Sequence, residues 1–265
     1  MTRTLLPPIS SGRGIQFIIY FAELITLFRQ MLSAFMARPI LQTVNDVALD
    51  LGIVSLSIMT LWLYLPGFLA NTFAMMWGKW LPKTGYGPWP IDGGKNWKDG
   101  NRILGDGKTW NGLIGGSITS GILCAIIVAF MGDVPNESTV GASIFAHPLT
   151  GYEGTWFDIS SPHFSAFILG TFLGFACLIG DSTGSFFKRR RGLKREGDIS
   201  SKAPLLDTLP FAIMVFLWGQ LFLGDSLLSQ SELIVPMLIM IIITPILHRS
   251  FNLIGYYIGW KDVPY

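Results

Sequence analysis

The sequence predicts an all-α fold: a polytopic membrane helix bundle of five core transmembrane helices plus an N-terminal transmembrane or interfacial helix. Three observations carry this expectation. Half of the 265 residues are hydrophobic and only 14% are charged, against about 25% charged in soluble domains; so few charges cannot cover the surface of a soluble globule of this size. The apolar residues gather into runs near the roughly 20 residues that cross a hydrocarbon core of about 30 Å as helix. The basic residues, whose net excess is only +2, fall in alternate connecting segments, as cytoplasmic loops require.

Taken in chain order, the first run, 15–36, is interrupted by Glu23, Arg29 and Gln30, which leaves crossing the membrane and lying along its surface both open. No charged leader runs into an uninterrupted apolar core there, so a cleaved signal peptide is not expected. Five stronger runs lie near 50–71, 112–131, 163–180, 206–224 and 233–248. Turn formers close three of them, at Gly132-Asp133, Gly180-Asp181 and Gly224-Asp225. The organisation expected is an N-terminal extension, 1–45, followed by a membrane-embedded domain, 46–265. Cys124 and Cys177 both sit inside apolar runs, which indicates neither a disulfide framework nor a thiolate metal site.

Charge orients the spans. Residues 72–111 carry Lys79, Lys83, Lys95, Lys98, Arg102 and Lys108; residues 181–205 carry Lys188, Arg189, Arg190, Arg191, Lys194, Arg195 and Lys202; the tail adds Arg249 and Lys261. Segments 132–162 and 225–232 contain no Lys or Arg. Five spans put the three basic segments on one face, which the positive-inside rule makes cytoplasmic. The expected location is therefore a cell membrane, crossed several times, with the polar chemistry facing the cytoplasm. The other face holds the acidic segment with Asp133, Glu137, Glu153 and Asp158; the glycosylation triplet at Asn136 within it is read as background.

The first basic segment interleaves Asp92, Asp99 and Asp106 with Lys95, Lys98, Arg102 and Lys108 between glycines, a pattern better suited to a metal–phosphate site than to a topology signal, since glycine turns expose backbone N–H groups to anions. Gly107-Lys108-Thr109 is not a Walker A loop, because Arg102 stands where that loop needs glycine. In the second segment Asp181 and Asp207 flank the Lys-Arg cluster, each at the edge of an apolar run. An unpartnered carboxylate is costly there, and two such carboxylates can hold Mg²⁺ while lysine and arginine neutralise phosphate oxygens.

The string Gly180-Asp181, Ser185-Phe186-Phe187-Lys188-Arg189, Lys194 and Pro204-x-x-Asp207 resembles the signature of the CTP-dependent phosphatidate cytidylyltransferases. Lys108-Thr109-Trp110-Asn111-Gly112 with Gly115-Gly116 is similar to a second block of that superfamily. Asp92-Gly93-Gly94, Asp99-Gly100-x-Arg102-x-x-Gly105-Asp106-x-Lys108 and the tail from His248 through Asn252, Gly255-Tyr256, Gly259 and Lys261 to Pro264 resemble its archaeal branch, the CDP-archaeol synthases. The resemblance covers about residues 50–265. Two features depart from the bacterial pattern: Arg195 stands in place of an Asp, and a Gly-His-Gly-Gly element is missing.

The resemblance implies transfer of CMP from CTP to an isoprenoid glycerol ether phosphate, typically 2,3-bis-O-geranylgeranylglycerol 1-phosphate, with release of pyrophosphate. Asp181, Asp207, Lys188 and Arg189 are the expected catalytic residues, the two aspartates as Mg²⁺ ligands. Lys194 joins Lys188 and Arg189 as a phosphate binder, and Ser185, Lys108, Thr109 and Asn111 are expected near the nucleotide. Arg102, Asp92, Asp106, Asn71, His248 and Asn252 are further substrate-binding candidates on the same face. The expected partners are CTP, the ether lipid phosphate and the bilayer, with no nucleic acid; the sequence leaves the oligomeric state open. Trp97 and Trp110 read as interfacial anchors, and Gly170, Gly174 and Gly180 as close helix-packing positions. The competing non-catalytic reading, a transporter or a scaffold for anionic lipid, would put ionisable residues in mid-span. A CDP-alcohol phosphotransferase would need Asp-Gly-x-x-Ala-Arg, which neither Asp92-Gly93 nor Asp99-Gly100 continues into.

Overall fold

A computed structural model describes residues 42–134, 144–193 and 204–257, with side chains from 52 onward except at 204, 247–248, 251–252 and 254–257. These residues belong to one compact unit, Ile40–Tyr265. They form six helices: α1 (Gln42–Leu63), α2 (Leu65–Trp80), α3 (Trp110–Met131), α4 (Pro162–Arg190), α5 (Pro204–Phe222) and α6 (Ile234–Tyr257). Among the described residues there is no β-strand, only two isolated bridges, Pro90 with Thr109 and Asn96 with Arg102. The all-α expectation holds, and α1 begins on the N-terminal side of the expected boundary at 45/46.

Three helices are long and apolar enough to cross a membrane, namely α3, α4 and α5. The run expected as one span over 50–71 is a pair of helices, α1 and α2, bent by 46° and together able to form a fourth. The bend falls where Tyr64 interrupts the helix and Pro66 opens the next, since a proline ring suits a helix start and obstructs its interior. The run 15–36 lies outside the described residues.

Two of the three predicted stops hold. Gly132 takes φ 82° just after α3 and Gly224 takes φ 63° just after α5, conformations glycine adopts at little cost. Gly180 does not stop its helix, and α4 runs on through Asp181 to Arg190. At Gly180 the missing side chain admits the Pro210 carbonyl and the Phe211 Cα of α5, so it brings two helices together.

α4 is the centre of the bundle, packed against α2, α3 and α5. Gly170 and Gly174 of α4 meet Ser117, Ser120, Gly121 and Cys124 of α3 at backbone distance, the close approach that replaces the hydrophobic effect as glue between helices in lipid. Several hydroxyls in these helices bond back to main-chain carbonyls one turn earlier, as in Ser120 to Gly116 at 3.0 Å and Ser182 to Leu178 at 2.8 Å, which leaves those groups satisfied without water. The outer face of α3 shows Ile114, Ile118, Ile122, Ile126 and Phe130 exposed at every fourth residue, a stripe suited to acyl chains.

Residues 144–161 and the turn after α5 close one end. Tyr64 Oη donates to the Leu228 carbonyl at 2.7 Å, Trp62 Nε1 to that of Ala146 at 3.0 Å and Trp156 Nε1 to that of Phe222 at 2.7 Å, over a floor of fully buried Leu149, Phe157 and Leu228.

Candidate active site

The opposite end gathers the charges, and three pieces of chain build it. The first is the top of α4, where Lys188, Arg189 and Arg190 occupy the last turn and complement its partial negative charge. The second is the start of α5, with Asp207 in its first turn, where a carboxylate is favoured for the converse reason. The third is the segment between α2 and α3, folded into a narrow ribbon by the Ile91 N–H to Lys108 carbonyl bond at 2.9 Å and the Trp97 N–H to Asn101 carbonyl bond at 2.7 Å.

Asp92 is the hub of that ribbon. Its carboxylate accepts from Arg102 at 2.7 and 3.2 Å and from the N–H groups of Gly94, Leu104 and Gly105 at 3.1, 3.0 and 2.9 Å. Burial alone would raise its pKa, but the Arg102 guanidinium and the three N–H donors outweigh it and hold the carboxyl well below the usual carboxylate range. Arg102 spends its other edge on Asp106, at 2.7 Å. The segment expected from its sequence to be a loop is thus a bonded platform.

Two ion pairs tie the three pieces together. Lys108 Nζ meets Asp181 Oδ2 at 2.5 Å, joining the ribbon to α4, and Lys188 Nζ meets Asp207 Oδ1 at 2.6 Å, joining α4 to α5. Lys188 is only 5% exposed, and an ammonium so enclosed needs a partner. Arg189 lies along the ribbon, its Nε donating to the Leu104 carbonyl at 3.4 Å and one amino group to the Leu193 carbonyl at 2.6 Å. The expected residues Asp92, Arg102, Asp106, Lys108, Asp181, Lys188, Arg189 and Asp207 therefore come together on one end of the bundle.

Other candidates stand nearby in structural roles. Thr109 caps α3, its Oγ1 accepting from the Gly112 N–H at 3.1 Å. Asn111 follows it, buried, with Nδ2 donating to the Tyr86 carbonyl at 3.2 Å and Oδ1 enclosed without a bond. Ser185 lies on α4 one turn before Arg189, and Asn71 lies on α2 with its backbone against Cys177. Lys194 and the side chains of His248 and Asn252 lie outside the described residues. Sequence reasoning did not single out Arg190 or Asp99, which pair at 2.8 Å; the interleaved aspartates opposite the basic cluster were the available signal.

Among the described residues no group of three or more His, Cys, Asp or Glu side chains converges, so this end offers no closed cage. It does offer carboxylates on adjacent helices beside cations. That donor set fits Mg²⁺, which is commonly held by one or two carboxylates together with substrate phosphates.

Helices long and apolar enough to cross a membrane, with the basic side chains gathered at one end instead of in mid-span, define a multi-pass membrane enzyme. The chain belongs to the CarS-like CDP-archaeol synthase family, whose model matches residues 53–265. It is 39% identical to the CDP-archaeol synthase of Methanospirillum hungatei over 203 residues, covering 76% of this chain and 99% of that one. The CDP-archaeol synthase of Methanosarcina mazei is 37% identical over 76% of this chain and 99% of its own, and that of Archaeoglobus fulgidus 34% over 80% and 99%. A solved structure of an intramembrane enzyme for archaeal membrane lipids biosynthesis is 25% identical over 72% of this chain and 91% of that one, with a TM-score of 0.45.

Proposed function

We propose that this enzyme transfers CMP from CTP to an isoprenoid glycerol ether phosphate, 2,3-bis-O-geranylgeranylglycerol 1-phosphate, giving CDP-archaeol and pyrophosphate at the cytoplasmic face of the cell membrane. The observation that carries the reading is the convergence of the Lys108–Asp181 and Lys188–Asp207 pairs at one end of the bundle, in a chain of this family.

The lipid phosphate oxygen attacks the α-phosphorus of CTP; the new P–O bond forms as the bond to the β-phosphate oxygen breaks, and pyrophosphate departs with that electron pair. A phosphate monoester is mostly dianionic at neutral pH, its second pKa being near 6, so the nucleophile needs no general base. The problem is repulsion between two anions, which positioned cations relieve. Lys108 and Lys188 exchange their aspartate partners for phosphate oxygens, and Arg189 and Lys194 add positive charge to the triphosphate. Asp181 and Asp207 would hold Mg²⁺, which when bound supplies Lewis-acid neutralisation of the triphosphate. The ribbon residues Asp92, Arg102 and Asp106 keep Lys108 in register, and Ser185, Thr109, Asn111, Asn71, His248 and Asn252 surround the substrates. Positive charge on the basic segments supports the cytoplasmic orientation.

The test is pyrophosphate release by detergent-purified protein with Mg²⁺ and each nucleoside triphosphate in turn, using geranylgeranyl ether phosphate or diacyl phosphatidic acid as acceptor. Release with CTP or its deoxy form, dependent on lipid phosphate and faster with the ether, is expected. Folded protein that releases none with any combination overturns the proposal.

A further inference from the structure

We infer that Arg190 and Asp99 form a clamp that positions the Gly105–Lys108 stretch for the nucleotide without touching substrate. The inference rests on the CTP-transfer reading. Arg190 ends α4, and its guanidinium holds the tip of the ribbon with both amino groups: one donates to Asp99 Oδ1 at 2.8 Å, the other to the carbonyls of Arg102 at 2.6 Å and Asn101 at 3.3 Å. The guanidinium carbon lies over the Phe186 ring at 5.0 Å and the Trp97 ring at 5.8 Å, and those two rings meet edge to face at 5.5 Å. Asp99 also accepts from the Asn101 N–H at 3.1 Å, so the carboxylate that Arg190 grips is the one that shapes the turn. The Arg190 Nε is buried without a hydrogen bond, a cost that the grip on the tip offsets.

From this tip the bonds lead directly to the phosphate-facing residues. Arg102 is fixed at its carbonyl by Arg190 and at its side chain by Asp92; Asp92 takes the N–H of Gly105; Lys108 follows and pairs with Asp181. The ribbon is therefore pinned to a single helix at three points, Asp181, Arg189 and, uppermost at its tip, Arg190. Releasing the upper pin leaves the cations present but no longer preorganised, which weakens nucleotide binding before it slows the chemical step. Lysine cannot replace Arg190, because the site uses a planar fork and a stacking face.

The test compares Arg190→Gln, Arg190→Lys, Asp99→Asn and the Arg190→Gln/Asp99→Asn double variant in full-length, detergent-purified protein, with thermal unfolding as a check on folding. KM for CTP should rise roughly tenfold in each single variant, about the loss of one hydrogen bond to a charged group. kcat and KM for the lipid phosphate should stay within about twofold, and the double variant should be no worse than the worse single. Trypsin should cut faster after Lys95 or Lys98 in each variant, and Arg190→Lys should not restore wild-type behaviour. Unchanged KM for CTP in Arg190→Gln and Asp99→Asn, or a fall in kcat with KM unmoved, or effects that add in the double variant, would overturn the clamp. Wild-type protein that turns over no CTP overturns the transfer reading itself, and with it the nucleotide role of the clamp, whereas intact wild-type turnover with unmoved KM in the variants removes the clamp alone.

Discussion

The two ends of the bundle solve the same problem, closing helix termini at the border of a membrane, with opposite chemistry. At the far end neutral donors from Trp62, Tyr64 and Trp156 cap main-chain carbonyls. Burial also lowers the pKa of His147 there, against an opposing backbone bond with Gly132. At the charged end the bonds run between full charges, Lys108 to Asp181 and Lys188 to Asp207. A neutral bond to a buried carbonyl has no ready substitute, whereas an ammonium and a carboxylate can each take another ion as partner, a phosphate oxygen for the lysine and a cation for the aspartate. The comparison teaches that stability is concentrated where partners are fixed, and reactivity where they are interchangeable.

The sharpest way to break the comparison is at the charged end. Asp181→Asn or Asp207→Asn should cut CTP-dependent pyrophosphate release per folded molecule by roughly 100- to 1,000-fold, the range for losing a principal electrostatic group, and Asp207→Asn should also lower the unfolding midpoint, because it leaves the enclosed Lys188 without its carboxylate. Between the two ends, Gly180→Leu would drive a side chain into the Pro210 carbonyl and Phe211 of α5. Overpacking of that kind costs about 1–3 kcal/mol, to be read as a lowered unfolding midpoint in detergent.

At the far end, Tyr64→Phe removes the bond to the Leu228 carbonyl and should cost about 1 kcal/mol, with turnover per folded molecule unmoved. A pH-dependent loss of stability is expected from Asp92→Asn. Asp92 is held below the usual carboxylate range in the folded chain, so its contribution is present above the unfolded value of about 3.9 and is lost as pH falls through the lower folded value. The variant should melt a few degrees below wild type at neutral pH, and the difference should shrink as the solution is acidified below about pH 4.

Much of this was legible from composition, because an apolar run of helical length has few alternatives in a chain so poor in charge. The meeting of the basic segments followed from counting spans and lysines together. Sequence reasoning placed Gly180 both at a helix stop and at a close-packing position, and could not display which of the two holds. Gly132 and Gly180 are each followed by aspartate after an apolar run, yet one takes φ 82° and ends its helix while the other lies inside α4 against Pro210. The difference lies in a neighbour from a distant part of the chain. Arg190 was hidden for a similar reason, since it is one cation in a run of four, Lys188 to Arg191. Only the folded position of Asp99, Trp97 and Phe186 separates it from the others.

The uninterrupted course of α4 has a further meaning as a depth gauge. At 1.5 Å per residue its 29 residues extend about 43 Å, some 13 Å beyond a hydrocarbon layer of about 30 Å. Asp181 follows the apolar run and Lys188 stands roughly 10 Å further along the same rod, so the cations rise through the layer where phospholipid phosphates reside. On the proposed function, an acceptor need not be lifted out of the bilayer to react, because Lys188 and Arg189 stand on the stretch of rod that exceeds the hydrocarbon layer, and a markedly thicker membrane should slow turnover.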